Sequence, residues 1–218
     1  MSIEKDAETM REESVEKMGV EVGELYYHSW QYLADINNKW YEYQQLFHTE
    51  RSRIVLMNET APAFFILLQR TLWESIVLSI TRLTDQVQTG KHENLTVCKF
   101  YNLIDDEELK VELGRMVDEL GKTRKICENW RNKLFAHLDM SIIVNNRLCV
   151  LGTIKKADVD HILGIIALIL NSVSKFYLNS TTIFDCRPYS LGNSSSLLYY
   201  LQLGLESKAK TYQKRSQL

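Results

Sequence analysis

Between Val20 and Phe47 the apolar residues return every third or fourth position, through Val22, Leu25, Tyr26, Trp30, Leu33, Ile36, Trp40, Tyr43 and Phe47. That spacing gathers them on one face of a helix. The stripe is aromatic, and at helical spacing it reads as core or helix–helix contact before it reads as a stacking platform for bases. A second helix is predicted over Ala61–Val87, with Thr60 placed to cap it and Pro62 in the first turn, where no hydrogen bond is lost. Its apolar residues nearly encircle it, which suits a helix at the centre of a bundle or in a subunit interface. Arg70 and Glu74 form a polar seam at i, i+4, and Arg82 and Asp85 follow at the helix end. These groups are either a buried ion-pair system or a support for a nearby site.

Residues Thr89–Asn94 read as a loop and Leu95–Ile104 as a short helix. Asp105 or Asp106 then caps a long helical stretch that carries Leu109, Leu113, Leu120 and Trp130 on its inner face to about Leu138, with Gly114 and Gly121 as points of bending or breakage. Ser141–Leu151 has the pattern of a small β-hairpin turning at Asn145-Asn146. A helix over Lys155–Ser180, a loop over Thr181–Ser196 containing Pro188, and an amphipathic helix over Leu197–Tyr212 complete the chain. Glu4–Lys17 is charged and reads as a frayed helix or an acidic arm. The expected organisation is a charged arm over 1–19, a helical bundle over 20–180 and a C-terminal loop and helix over 181–218. The fold class is all-α: an up-and-down bundle of four to five long helices, with a hairpin near 141–151.

Composition agrees with helices. Only two prolines and nine glycines occur in 218 residues, too few for the many tight turns of an all-β fold. The net charge of −2 excludes a generally basic nucleic-acid coat while leaving room for a local basic pocket. The four cysteines, Cys98, Cys127, Cys149 and Cys186, are widely spaced, so they read as free thiols in a reducing compartment. The N-terminus lacks the apolar segment of a signal peptide. The most apolar short run, Ile162–Leu170, is too short to span a bilayer. A soluble, cytoplasmic protein without a membrane partner is expected.

Gly-rich phosphate loops and nucleophile elbows are absent, and His28, His48, His92, His137 and His161 show no metal-ligand spacing. One stretch concentrates polar chemistry. From Trp130 to Asp139 the chain reads Trp-Arg-Asn-Lys-Leu-Phe-Ala-His-Leu-Asp. Trp130, Leu134 and Leu138 hold the apolar face, so Arg131, Asn132 and His137 project elsewhere. On an ideal helix Arg131 and His137 lie about 120° apart, a gap that the Arg stem or a bend near Ala136 can close around one phosphate. The plainer reading pairs Arg131 with Glu128 or Asp139 and lets His137 cap the helix C-terminus.

Arg131-Asn132-x-x-x-Ala136-His137 resembles the R-x(4–6)-H motif of the HEPN superfamily. Lys39-Trp40-Tyr41-x-Tyr43-x-x-Leu46-Phe47, Ile80-x-Arg82-Leu83-x-Asp85 and the extended Arg131–Asp139 segment are similar to its abortive-infection, AbiU-like branch, in an ordered match over roughly Leu25–Tyr177. The resemblance implies a helical bundle that pairs into a homodimer. It also implies a metal-independent endoribonuclease without cofactor, acting in antiphage defence or a toxin–antitoxin pair. RNA, with tRNA among the candidates, is the implied substrate, and a cognate antitoxin an implied partner. The chemistry suits the residues. An imidazole can gain or lose a proton near neutral pH, so His137 can serve as base or acid; Arg131 offers a forked cation to phosphate oxygens; Asn132 can orient the phosphate or His137. One imidazole cannot be acid and base at once, so the site is expected to be composite, with a His137 from each protomer. The alternatives are a non-catalytic helical module with Val20–Phe47 as its contact surface, or nucleotide binding without hydrolysis at the Arg131/His137 cleft.

Overall fold

Gly19 sets the first turn of the chain. Its φ of +80°, costly for any residue with a Cβ, stops one helix and starts the next. α1 (Ala7–Met18) therefore folds back on α2 (Val20–Phe47), and Arg11 Nε donates to Glu24 Oε2 at 2.9 Å across the pair. The charged N-terminal stretch, expected as a frayed helix or an acidic arm, is a formed helix over Ala7–Met18 with Ser14 and Met18 buried. The computed structural model describes residues 7–48, 50–132, 154–185 and 192–215. The hairpin expected near 141–151 lies outside them.

The described residues are all-α apart from one tiny antiparallel hairpin. After α2 come α3 (Arg51–Thr60) and α4 (Pro62–Leu83). Strands β1 (Gln88–Thr89) and β2 (His92–Glu93) turn at Gly90, φ +62°, where a plain loop is expected from the sequence. A 3-10 turn over Val97–Lys99 leads into α5 (Phe100–Leu103). Then follow α6 (Glu107–Thr123), α7 (Lys125–Trp130), α8 (Lys156–Leu178) and α9 (Ser194–Arg215). Asp106 is the residue that caps α6, its Oδ1 accepting from Leu109 N at 2.9 Å. One expectation needs correction. Thr60 closes α3 instead of capping α4: its hydroxyl donates back to Leu56 O at 2.8 Å, satisfied inside its own helix. The long helix is interrupted at Arg124, just past Gly121, one of the two points where bending or breakage is expected, and its expected end near Leu138 lies outside the described residues.

The residues divide into two compact units, one within 1–37 and 77–185, the other within 38–76 and 186–218. In the first, α6 lies antiparallel along α8. Ser172 Oγ donates to Glu112 Oε1 at 2.7 Å, and one end further on His161 Nε2 faces Glu119 Oε1 at 3.4 Å. Leu113, Leu120, Ile162, Ile166 and Ile169 are fully buried there, joined by Leu33 and Ile36 of α2 and Ile80 and Leu83 of α4. In the second unit Trp40 stacks on Tyr43, both beside Trp73, and Leu46, Leu56, Met57, Phe65 and Leu198 make the core. The aromatic stripe of α2 is thus mostly core, with Tyr26, Trp40 and Tyr43 buried, and not the outward contact surface considered above.

Arg70 and Glu74 correct a further expectation: both are exposed and form no ion pair among the described residues. By length and composition alone, α4 and α8 are long and apolar enough to cross a membrane. The run Ile162–Leu170 is the centre of that longer apolar helix. Core helices of water-soluble proteins share this composition, and the inward face of α8 is buried within its unit.

α1 and α2 approach closely at Gly23, where an added Cβ would lie 2.6 Å from Ser14 O and from Val15 Cα, both backbone atoms. Gly23→Ala is expected to destabilise the first unit by about 1–3 kcal/mol in urea unfolding. Gly164→Ala, at a helical position with open space around it, is expected to be neutral or stabilising.

Candidate functional site

The site begins at the end of α4. Thr84 is buried, and its hydroxyl donates to Ile80 O at 2.8 Å, which holds the last turn closed. Asp85 follows. Its backbone carbonyl accepts from Thr96 Oγ1 at 2.8 Å, and its carboxylate oxygen Oδ1 accepts from Gln86 N at 2.9 Å. The carboxylate is therefore fixed from both sides and only about a quarter exposed.

Two arginines from the α6–α7 region meet it. Arg131 Nη1 donates to Asp85 Oδ2 at 3.0 Å. Arg124, at the break between α6 and α7, donates from Nη1 to Thr84 O at 2.6 Å and lies 3.8 Å from Asp85 Oδ1. Arg131 follows α7 at a π-helical position and donates from Nε to Asn132 Oδ1 at 2.9 Å. Arg124 and Arg131 share one carboxylate, so the trio keeps one net positive charge. The Arg131 guanidinium is held at two points while its side chain remains about one quarter exposed. Such a fork is a ready receiver for an oxyanion.

A half-open cleft of about 300 Å³ adjoins this cluster, lined by Tyr32, Arg82, Asp85, Asn94 and Leu95. Arg82 is exposed and forms no ion pair among the described residues. The sequence points to Arg82 and Asp85 as a polar end of α4. The structure pairs Asp85 with Arg131 and Arg124 across about 40 residues of chain, and leaves Arg82 for the cleft.

Cys127 sits one turn before Arg131 and is fully buried; loss of hydration pushes its thiol up to about 12, with the negative charge of Asp158 adding to the shift. Burial likewise raises the Cys98 thiol. Both are free thiols that stay protonated at neutral pH and are poor nucleophiles. Cys149 and Cys186 lie outside the described residues.

The family model AbiU2 of the HEPN proteins matches residues 19–191. The chain belongs to this abortive-infection family. No curated protein and no solved structure gives a match. Of the residues carried over from the HEPN motif, Arg131 and Asn132 stand together at π-helical positions, whereas His137 falls outside the described residues, as does Asp139. The plainer pairing of Arg131 with Glu128 is not the one found; Asp85 takes that place in this AbiU2 chain. Arg124, Tyr32 and Asn94 were not legible as site residues, because nothing in their local spacing marks them. They reach the cluster only through helix packing and the β1–β2 turn.

The Asp85–Arg131 pair is testable by a double-mutant cycle. Asp85→Asn and Arg131→Gln are each expected to lower the unfolding free energy of this AbiU2 protein, with a coupling of about 1 kcal/mol that shrinks as salt is raised.

Proposed function

We propose that the protein is a metal-independent endoribonuclease of abortive infection, cleaving RNA by attack of its own 2′-hydroxyl. What carries the reading is Arg131: the HEPN motif arginine is oriented by Asp85 at 3.0 Å and by Asn132 at 2.9 Å, beside a cleft open to solvent. Arg131 binds the non-bridging oxygens of the scissile phosphate and stabilises the added charge of the pentavalent transition state. His137 accepts the 2′-hydroxyl proton as that oxygen attacks phosphorus. A second His137, from the partner of a homodimer, protonates the departing 5′-oxygen. Asn132 orients Arg131, and Asp85 acts as its positioning residue. The products are a 2′,3′-cyclic phosphate and a 5′-hydroxyl. The substrate is single-stranded or loop RNA, tRNA included, because in-line attack needs a splayed backbone. On this reading the protein works in the cytoplasm, with a cognate antitoxin restraining it.

A second reading, a non-catalytic interaction module, draws on a different observation. Phe64, Ile66 and Leu67 on α4 and Tyr199, Tyr200 and Leu203 on α9 are large, apolar and exposed. Such surfaces mark association.

Induced expression separates the two. The ribonuclease arrests growth, yields RNA fragments with cyclic phosphate ends, and is unaffected by EDTA. His137→Ala and Arg131→Ala each abolish arrest and cleavage by 100-fold or more (order of magnitude expected for loss of a general acid–base or a charge-stabilising group). Asp85→Asn lowers cleavage about tenfold, consistent with misplacement of a retained group. Growth and RNA that are the same with wild type and with both motif variants leave the module reading.

A further inference from the structure

The cleft beside Arg131 has a composition of its own. Tyr32 of α2 is half-buried, and its ring stacks on no other ring among the described residues. Leu95 is an exposed apolar neighbour. Asn94 is held in place: its Nδ2 donates to Gln86 O at 2.8 Å and to Thr89 Oγ1 at 2.7 Å, and its backbone N–H donates to Val87 O at 2.9 Å. Both amide hydrogens are thereby committed, so what Asn94 can still offer is its carbonyl oxygen, a fixed acceptor. Arg82 supplies a guanidinium that forms no ion pair among the described residues, and Asp85 forms the wall shared with Arg131. A flat aromatic face, an aliphatic neighbour, one rigid acceptor and one cation are the groups that recognise a base joined to a phosphate. At about 300 Å³ the cleft suits one nucleotide, at the small end of ligand sites.

We propose that the cleft formed by Tyr32, Arg82, Asn94 and Leu95 is a nucleotide subsite that seats the base next to the phosphate held by Arg131. This rests on the ribonuclease reading and extends it from the phosphate to its neighbour. The base lies on the Tyr32 ring with Leu95 against it. An N–H on its edge donates to Asn94 Oδ1. Arg82 takes the following phosphate, so that two cations, Arg131 and Arg82, grip successive points of one strand. Asp85 does not repel the strand, because Arg124 and Arg131 already neutralise it. The β1–β2 turn then has a purpose: its hydrogen bonds fix the acceptor before the base arrives, which reduces the ordering cost of binding.

The test is fluorescence anisotropy of a labelled, 2′-O-methylated octaribonucleotide titrated with the full chain. The methyl groups block attack, so binding is read without cleavage. Cleavage of the unmodified strand is followed in parallel, and AMP is the free-nucleotide probe. Tyr32→Ala is expected to weaken binding about tenfold, the effect of one lost stacking partner, and Tyr32→Phe to restore it. Arg82→Ala is expected to weaken it several-fold and to reduce the salt slope by about 0.7, with Arg82→Lys restoring the slope. Circular dichroism establishes that each variant is folded. If wild type cleaves RNA while Tyr32→Ala and Arg82→Ala bind like wild type, the subsite is overturned and the ribonuclease stands. If wild type neither binds nor cleaves any strand, the ribonuclease reading fails and takes the subsite with it. If AMP alone binds, and does so through Tyr32 and Arg82, the cleft takes a free nucleotide, and the proposal that it seats an RNA base is overturned.

Discussion

A single carboxylate organises this end of the molecule. Asp85 receives Arg131 at 3.0 Å and stands 3.8 Å from Arg124, while its own backbone is tied to Thr96. Three separate stretches of chain, the end of α4, the turn before α5 and the α6–α7 region, converge on it. Two like charges so close would repel; the carboxylate between them makes the approach favourable and leaves one surplus positive charge. The position of the motif arginine is thus set by long-range packing and not by its own helix alone.

The surrounding fold serves that convergence. α6 runs antiparallel to α8 and gives α7 a firm base, while the buried end of α4 delivers Asp85 at a fixed height. Arg124 stands between α6 and α7 with an αR backbone, and the backbone carbonyl of Thr84 accepts from its side chain. One side chain therefore ties the α6–α7 junction to the site. The exposed apolar residues of α4 and α9 belong to the other compact unit, so they lie in a different part of the chain from the Asp85–Arg131 cluster.

Much of this was readable from residue spacing. α2 was legible from end to end because nine apolar residues kept strict helical phase, and α8 for the same reason. Asp106 was legible as one of two capping candidates, since an acidic side chain before an apolar-periodic run has a local job. Thr60 misled because a threonine at a helix junction can serve the helix before it as well as the one after. Arg70 and Glu74 misled because helical spacing places two groups on one face without saying whether that face is covered. In the site, Arg131 and Asn132 were legible through their motif, and Asp85 through its place at the end of the apolar helix. The link between Asp85 and Arg131 was not, since 46 residues separate them and no pattern in the chain encodes which charge meets which.

The burial of Cys127 carries a consequence for a cell under attack. With its ionisation displaced to about 12, the Cys127 thiol stays protonated at pH 7, and it is the thiolate that peroxide oxidises. The sulfur nearest in sequence to the motif, one turn before Arg131, is thereby shielded from oxidants.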